Sequence, residues 1–486
     1  MTKPVRVRFA PSPTGYPHVG NIRTALFNWL FARRYGGRFI VRIEDTDLAR
    51  KVEGAEKGIL DSLRWLSLDW DEGPNVGGDY GPYYQSQRLE LYKSAAERLI
   101  AQGDAYYCYC SPERLEAMRA EQVKRKQPPG YDRHCRELTR QECAQKEAEG
   151  IVPVVRFKVP LEGQTRFKDL IYGDVVFEHS TLDDFVLLKS DGYPTYHLAN
   201  VVDDHAMKIS HVIRAEEWIS STPRHLLLYK ALGFEPPEFI HHPMILGPDR
   251  AKLSKRHGAV SILDYRDQGY LPQTMFNFLA LIGWSLDDRT EIISRQALVD
   301  NFSLERIGKT GAIFNREKLD WMNGVYIRSL TPDGFFDAVQ PFLMTDIAAG
   351  EALIEDEGYV REVLPLVQER AKTLLEVVEL TRFFFADELE CEPQMLIGKK
   401  MDAPSTVKAL KAAQEKLEPL KAFDADFLEA VLRPLAAELE LKTGQLFGVL
   451  RVAVTGQSAA PPLFATMAVL GRERSLKRIA AALSKL

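Results

Sequence analysis

Two short loops carry residue types that could bind and activate a polyphosphate. The first loop, residues 11–21, contains His18 and Gly20 and joins a strand-like run to a helical stretch. Exposed N–H groups at the start of a helix favour an anion, and a glycine lets a charged or flat ligand approach the backbone. A histidine there can donate a hydrogen bond to a phosphoryl oxygen as charge builds on it. A proline-rich turn with an incidental histidine is the alternative interpretation.

The second loop, residues 246–256, contains Lys252 and Lys255 and also follows a strand-like run. Two lysines three positions apart could hold a triphosphate, and neutralising the departing pyrophosphate would lower the barrier to its release. A solvated basic loop is the alternative, and this loop alone decides nothing. The first loop also follows a strand of a parallel sheet. The two loops together therefore indicate a triphosphate-binding site much more specifically than either loop does alone.

Three of the five cysteines form a further candidate site. Cys108 and Cys110 stand two positions apart, and Cys135 follows after 24 intervening residues. Residues i and i+2 of a strand point to the same side, so two thiolates could share a zinc ion. Buried free thiols are the alternative, and Cys143 and Cys391 are expected to be ordinary core or surface residues.

The first fifty residues predict the framework that positions the first loop. A period-2 run ending at Phe9 is followed by a helical stretch over residues 20–35 and a buried strand over residues 39–41. Strand, helix and strand in this order form a βαβ unit, which predicts a parallel sheet.

A second set of strand-like runs comes much later, at residues 185–188, 212–213 and 244–246, with a helix over residues 222–232. Between the two sets, cysteines, a basic stretch and short β-like segments indicate an inserted domain. After about residue 260 the apolar spacing is helical, and Trp321-Met322-Asn323-Gly324 is interpreted as a boundary turn.

The predicted fold class is therefore α/β. A Rossmann-like domain with a parallel sheet is split by an α+β insertion and followed by helical regions. The expected boundaries are 1–105 and 189–260 for the Rossmann-like domain, 106–188 for the insertion, 261–325 for a first helical domain and 326–486 for an all-helical second one.

Composition limits the class of protein. The chain has 486 residues, of which 45% are apolar and 27% charged, and its net charge of −5 gives no overall basic signal, so any nucleic-acid surface must be local. The first residues lack the apolar core of a signal peptide, no apolar run approaches the ~18 residues of a membrane span, and five cysteines do not make a disulfide scaffold. Disordered, secreted and membrane classes are excluded, and a reduced, cytoplasmic protein is expected.

The two loops resemble the ATP-binding motifs of class I aminoacyl-tRNA synthetases, with His18-Val19-Gly20-Asn21 and Lys252-Leu253-Ser254-Lys255-Arg256 as the matching residues. Residues 6–15, 42–47, 191–200, 212–218 and 321–324 resemble the bacterial glutamyl-tRNA synthetase family in particular. The resemblance runs from the first strand to the end of the chain and is loosest after residue 330.

This resemblance implies a glutamate–tRNA ligase that uses ATP with Mg²⁺. It would activate L-glutamate to glutamyl-adenylate and transfer the glutamyl group to the 3′-terminal adenosine of tRNA(Glu), discriminating against tRNA(Gln). The insertion would bind the acceptor stem, residues 261–325 would contact the stem, and residues 326–486 would bind the anticodon. A monomer without a membrane partner is the family norm.

By resemblance, the residues of both loops and of the strand ends receive roles. The catalytic residues would be His18, Gly20, Lys252 and Lys255; ATP would be bound by Ser12, His18, Gly20, Asn21, Glu217, Lys252, Ser254 and Lys255; and L-glutamate by Arg8, Ala10, Ser12, Glu44, Tyr196, Asn200 and Arg214. The residue chemistry fits, because an arginine fork pairs both oxygens of a carboxylate in bonds about twice as strong as neutral ones. An ordinary surface ion pair is the alternative for Arg8 and Arg214. The acidic runs at 44–47 and 203–205 are interpreted as polar structure around the pocket.

Two further roles come from the same resemblance. Some bacterial members bind zinc in the insertion through Cys-x-Cys and Cys-x-His, which implies Cys108, Cys110 and Cys135 as ligands, with Glu137 in the histidine's place and His134 as its competitor. In members that refuse tRNA(Gln), an arginine of the helical domain reads the third anticodon base, and Arg370 aligns with it. A solvated helix face is the alternative interpretation for Arg370.

Four alternatives are weighed against this function. The short glutamyl-queuosine relative lacks an anticodon domain, whereas about 160 helix-patterned residues follow Gly324 here. Glutaminyl-tRNA synthetase is expected to have a β-rich C-terminal half. A nucleotidylyltransferase that handles no tRNA would leave the inserted and C-terminal regions without a task, and a non-catalytic tRNA-binding protein would not need an intact ATP site.

Overall fold

The computed structural model describes residues 4–254, 256, 261–346 and 356–486. The chain forms two compact units, one of Met1–Asp264 with Met275–Asn315 and the other of Tyr265–Thr274 with Arg316–Leu486. The segment 261–325, expected as one helical domain, contributes to both units.

All strands of the described chain lie in the first unit. They are β1 (Arg6–Phe9), β2 (Arg38–Val41), β3 (Ala105–Cys108), β4 (Val154–Phe157), β5 (Gln164–Asp169), β6 (Gly173–Glu178), β7 (Val186–Leu188), β8 (His211–Ala215), β9 (Glu238–His242), β10 (Ile245–Leu246) and β11 (Ala312–Ile313). The helices that precede residue 316 in the described chain are α1 (Val19–Arg34), α2 (Ala55–Trp65), α3 (Leu89–Gln102), α4 (Pro112–Lys124), α5 (Arg140–Ala148), α6 (Tyr196–Ala206), α7 (Thr222–Ala231), α8 (Ile262–Asp267), α9 (Pro272–Leu281) and α10 (Arg295–Asn301).

The rest of the described chain is helical, as predicted. It comprises α11 (Arg316–Arg328), α12 (Pro332–Asp346), α13 (Glu357–Val363), α14 (Pro365–Gln368), α15 (Leu374–Phe385), α16 (Pro393–Leu396), α17 (Ala403–Leu417), α18 (Ala425–Glu438), α19 (Thr443–Thr455) and α20 (Leu463–Lys485). Apolar faces of these helices share one core, which includes Phe335, Val377 and Leu450. No helix in the described ranges is both long and apolar enough to span a membrane.

The predicted parallel sheet is confirmed around the first loop. β1 pairs in parallel with β2, and β8 pairs in parallel with β9. β1 lies beside β8, where Ser210 N donates to Arg6 O at 2.9 Å. The carboxyl ends of β1 and β8 therefore meet, and such a crevice is where open α/β sheets bind ligands.

The insertion is divided between two sheets. β3, β4 and β7 form an antiparallel sheet, so the predicted strand at 185–188 belongs to the insertion. β5 and β6 form a hairpin whose β5 pairs in parallel with β9, through Asp169 and Phe239. The hairpin thus extends the sheet that contains β8 and β9, which the sequence did not predict.

The boundary turn expected at residues 321–324 is wrong, because this segment lies inside α11. The Asn323 side chain accepts a hydrogen bond from Leu271 N at 2.9 Å and donates to Lys372 O at 2.6 Å. Asn-Gly favours a turn locally, but here the buried amide is satisfied by neighbouring backbone, so the helix continues.

Candidate active site

A cavity of about 790 Å³ lies at the carboxyl ends of β1 and β8 and at the start of α1. It brings together most residues expected to bind substrates. The lining includes Arg8, Ala10, Ser12, Glu44, Tyr196, Asn200 and Arg214 from the expected glutamate set, and His18, Gly20, Asn21, Glu217 and Lys252 from the expected ATP set. Ser254 is not part of this lining, and Lys255 lies outside the described residues.

The first loop ends in a histidine that caps α1. His18 Nδ1 accepts from Gly20 N at 3.1 Å and from Asn21 N at 3.3 Å, so Nδ1 carries no proton and Nε2–H is the ring's donor. Burial and the nearby Lys252 lower the pKa of His18, which favours this neutral form. The site therefore offers a neutral N–H donor beside the helix N-terminus.

Gly20 is needed for this cap. A Cβ at position 20 would lie 2.9 Å from His18 Cε1 and 3.0 Å from His18 Nδ1, which would push the ring off the two N–H groups. From the sequence, a glycine was expected here because a ligand must approach the backbone closely. The contact with the His18 ring is a second reason why position 20 has no side chain.

The second loop leaves β10 and folds back on it. Gly247 N donates to Ala251 O at 2.8 Å, and Leu253 N donates to Ile245 O at 3.0 Å. These bonds set Lys252 at the cavity, where its ammonium forms an ion pair with Glu217 from the turn after β8. Both groups are at least two-fifths exposed, so a polyphosphate could displace Glu217 from the lysine.

A buried ion network lies beside the cavity, and two of its members, Arg8 and Glu44, line it. Arg8 Nε pairs with Asp204 at 3.1 Å, and Arg42 pairs with Asp204 at 2.7 Å and with Glu44 at 3.0 Å. Burial raises the pKa of Glu44, whereas Arg8 and Arg42 hold the pKa of Asp204 below its usual range against the effect of burial. Arg8 thus forms a buried ion pair instead of a surface one. Within the acidic run at 203–205, Asp204 is the shared partner of these two arginines.

Arg214 differs from Arg8 because all its partners are neutral. Its guanidinium donates to His241 Nε2 at 3.0 Å, Tyr196 Oη at 2.8 Å, Thr222 Oγ1 at 2.9 Å and Trp218 O at 3.2 Å. The residue is 5% exposed and makes no ion pair within the described chain. A buried cation without a counter-ion is costly, and this one lines a cavity.

The thiol cluster is present at the end of β3. The sulfur atoms of Cys108, Cys110 and Cys135 all lie within 4.8 Å of one another, and a tetrahedral zinc ion with its usual bonds to sulfur needs spacings of about 3.8 Å. Hydrogen bonds, above all with Cys135, lower the pKa of Cys108 to about 4. Three thiols at these spacings could therefore act together as ligands of one metal ion.

Neither expected candidate for the fourth position joins this cluster. Glu137 is 79% exposed at its side chain and pairs with Lys158 at 3.3 Å, and His134 is exposed. The oxygen beside the thiols belongs to Tyr131, whose hydroxyl lies 3.2 Å from Cys108 Sγ. No signal in the sequence pointed to this tyrosine.

Arg370, in the second unit, lies between α14 and α15. It is exposed, and Nη1 donates to Ala460 O at 2.8 Å. One end of the guanidinium is thereby held by the protein.

Several site residues were missed by the sequence analysis, among them Asp169, Thr222 and His241. Adjacent histidines in the apolar run of β9 were an available signal, because polar residues inside a buried strand need partners. Their partners come from β5, β8 and α1, which the local sequence does not reveal.

Known proteins are similar to this chain along nearly its whole length. The chain matches the family model for class I tRNA synthetases (E and Q), catalytic domain, over residues 4–321 and the model for an anticodon binding domain over residues 334–483. A glutamate–tRNA ligase of Dehalococcoides mccartyi (strain CBDB1) is 61% identical over 486 residues, 100% of this chain and 98% of that protein. The glutamate–tRNA ligase of Moorella thermoacetica is 49% identical over 98% of this chain and 97% of that protein.

A solved structure is also similar along the whole chain. It is the crystal structure of a glutamate tRNA ligase from Elizabethkingia meningosepticum in complex with its amino acid. The two chains superpose with a TM-score of 0.88 at 35% identity, covering 100% of each.

Proposed function

The chain belongs to the class I tRNA synthetases of the glutamate and glutamine group, and we propose that it attaches L-glutamate to tRNA(Glu). The α-carboxylate of glutamate attacks the α-phosphorus of ATP, which forms glutamyl-adenylate and releases pyrophosphate. The 2′-hydroxyl of the terminal adenosine of the tRNA then attacks the activated carbonyl, and AMP leaves. This assignment is supported by the sequence identity of 61% and 49% to two glutamate–tRNA ligases, over nearly the full length of the chains.

The observation that carries the choice of glutamate is the buried Arg214 guanidinium with neutral partners only. The side-chain carboxylate of glutamate would be its counter-ion, whereas the amide of glutamine would leave the charge uncompensated. The absence of strands from the described residues of the second unit also disfavours the glutaminyl relative.

ATP would be held between the two loops. His18 Nε2–H, beside the N-terminus of α1, is suited to the phosphates, and Lys252 would exchange Glu217 for them. Magnesium bound to the phosphates would neutralise part of their charge. Catalysis would then consist of positioning and charge stabilisation, without a protein nucleophile. Lys255 keeps its sequence-based role of meeting the departing pyrophosphate.

The remaining regions would bind the tRNA. Residues 106–188 would receive the acceptor stem, residues 261–325 would contact the stem, and residues 326–486 would bind the anticodon, a role supported by the match to an anticodon binding domain. The enzyme would act as a monomer in the cytoplasm. None of its five cysteines forms a disulfide in the structure, in keeping with a reducing compartment.

One structural zinc ion would be held by Cys108, Cys110 and Cys135, whereas Glu137, the fourth ligand expected from the sequence, lies outside this cluster. The metal would tie the segment after β3 to the segment around Cys135 and would take no part in the reaction.

Aminoacylation with purified tRNAs tests the function. We expect ATP-dependent attachment of labelled glutamate to tRNA(Glu), little attachment to tRNA(Gln), and negligible attachment of labelled glutamine to either. A protein that leaves tRNA(Glu) uncharged in the presence of ATP and Mg²⁺ would refute the proposal.

The choice of tRNA is proposed to depend on Arg370. The third anticodon base is C in tRNA(Glu) and G in tRNA(Gln), and a guanidinium can donate to O2 or N3 of an unpaired cytosine, whereas guanine presents an N1–H donor. A mismatch of this kind costs ~1–3 kcal/mol, by analogy with base discrimination in duplexes. Arg370→Gln should raise the charging of tRNA(Gln) relative to tRNA(Glu). Equal kcat/KM for both tRNAs in the wild type would exclude this role.

A further inference from the structure

Arg214 is held in place almost entirely by hydrogen bonds to neutral groups. A guanidinium has five N–H donors. Four hydrogen bonds, to His241, Tyr196, Thr222 and Trp218 O, use one N–H each, which leaves one on Nη1. Two of these partners lie on α6 and α7, and His241 lies on β9, so three elements fix the orientation of one side chain.

The bond to His241 determines the tautomer of that ring. Because Arg214 can only donate, His241 Nε2 must accept and carry no proton. The proton is therefore on Nδ1, which donates to Asp169 Oδ2 at 2.7 Å. Burial lowers the pKa of His241 to about 4, which agrees with a neutral ring.

Asp169 is itself rigidly held at the end of β5. Its Oδ1 accepts from Ile171 N at 2.9 Å and Tyr172 N at 2.8 Å, and its Oδ2 also accepts from His241 N at 3.1 Å. The side chains of both Asp169 and His241 are 0% exposed. The carboxylate is thus satisfied by four hydrogen bonds and has no access to the cavity.

We propose that Asp169 and His241 form a positioning pair that orients Arg214 through a neutral acceptor, so that the full charge of the guanidinium stays available to the side-chain carboxylate of glutamate. This inference rests on the proposed function and deepens it. A carboxylate in direct contact with Arg214 would orient it equally well but would neutralise it, as Asp204 does for Arg8. An imidazole between the two charges gives orientation without neutralisation, and the pocket thereby selects the anionic substrate over glutamine.

The test compares two substitutions of the same residue by aminoacylation kinetics. His241→Phe keeps a ring but removes the acceptor and the donor, whereas His241→Gln keeps an oxygen for Arg214 and an N–H for Asp169. We expect His241→Phe to raise the KM for glutamate ~10- to 100-fold, since hydrogen bonds to charged groups are worth about 1.5–3 kcal/mol. The KM for ATP should change less than about threefold, and the preference for glutamate over glutamine should fall with the glutamate KM.

His241→Gln should recover most of the loss, to within about fivefold of the wild type. His179→Phe is the matched control, because His179 is another buried histidine of the first unit and is not part of the cavity lining. A glutamate KM for His241→Phe within threefold of wild type, equal changes in both KM values, or failure of His241→Gln to improve on His241→Phe would overturn the proposal.

A second measurement does not depend on the variants being active. ¹⁵N NMR of histidine-labelled full-length wild type at pH 7 should show one ring protonated at Nδ1 and unprotonated at Nε2 that disappears in His241→Gln. The opposite tautomer or a doubly protonated ring would also overturn the proposal. A wild type that does not charge tRNA(Glu) would instead refute the proposed function, so the two failures are distinguishable.

Discussion

Replacing Arg214 by glutamine should separate substrate binding from stability. In the unliganded protein the guanidinium is a buried cation without an ion-pair partner in the described chain, so its removal takes away an electrostatic cost together with four hydrogen bonds. These contributions oppose each other. The melting temperature of Arg214→Gln should therefore stay within a few degrees of the wild type.

Glutamate binding should suffer far more. Without Arg214, the side-chain carboxylate of bound glutamate would lose the one arginine that has no ion-pair partner in the described chain. Arg8 could not replace it, because Arg8 is paired with Asp204. Leaving one member of a buried ion pair uncompensated costs about 3–5 kcal/mol, which corresponds to roughly two to four decades in kcat/KM for glutamate. The KM for ATP should be nearly unchanged.

The assay is aminoacylation of tRNA(Glu) at varied glutamate and at varied ATP, combined with thermal melting of the same preparations. Arg64→Gln is the control, because that arginine is 51% exposed on α2, pairs with Asp61, lies over the Trp70 ring and is not part of the cavity lining. If the KM for glutamate in Arg214→Gln moves less than threefold, Arg214 is not the receptor of the side-chain carboxylate. A large fall in melting temperature would contradict the argument from the uncompensated charge.

Three further predictions concern the basic loop, the thiol cluster and pH. Lys255→Ala and Lys252→Ala should each slow ATP–pyrophosphate exchange, measured with tRNA present, by ~10²–10³-fold with little change in glutamate KM; an unchanged rate would exclude that lysine. Protein purified without chelator should contain about one zinc per chain, lost in Cys135→Ser and retained in Glu137→Ala, whereas a metal content near zero in the wild type would favour free thiols. Burial lowers the pKa of His197 and His241 to about 4, so below pH 6.5 the unfolded chain binds protons that the folded one does not. Denaturant unfolding should show stability falling between pH 7 and pH 5 by about 2 kcal/mol per histidine, and a flat profile would contradict these shifts.

The sequence alone was sufficient for the parts of the site that depend on short-range structure. The strand ending at Phe9, the loop with His18 and Gly20, and α1 follow each other directly, and the cap of α1 joins atoms only two or three residues apart. Hydrophobic periodicity and helix-start chemistry act over the same short range. Family resemblance and the α/β class with a helical C-terminal region followed from these local patterns and were confirmed.

Local preference was misleading where distant partners decided the conformation. Trp321-Met322-Asn323-Gly324 has the residues of a turn, but Asn323 bonds to Leu271 and Lys372, about fifty positions away on either side. The buried amide gains more from these partners than from closing a turn, so the helix continues through the segment.

Only the tertiary structure decided how the glutamate pocket is charged. Arg8 meets Asp204 across 196 positions, and His241 meets Asp169 across 72. The first contact joins β1 to α6, and the second depends on the parallel pairing of β5 with β9. The sequence identified two arginines of the same type, whereas the fold neutralised Arg8 with a carboxylate and surrounded Arg214 with neutral acceptors. The reason is physical: in a buried site the charge available to a ligand is set by the groups that the fold brings into contact with it.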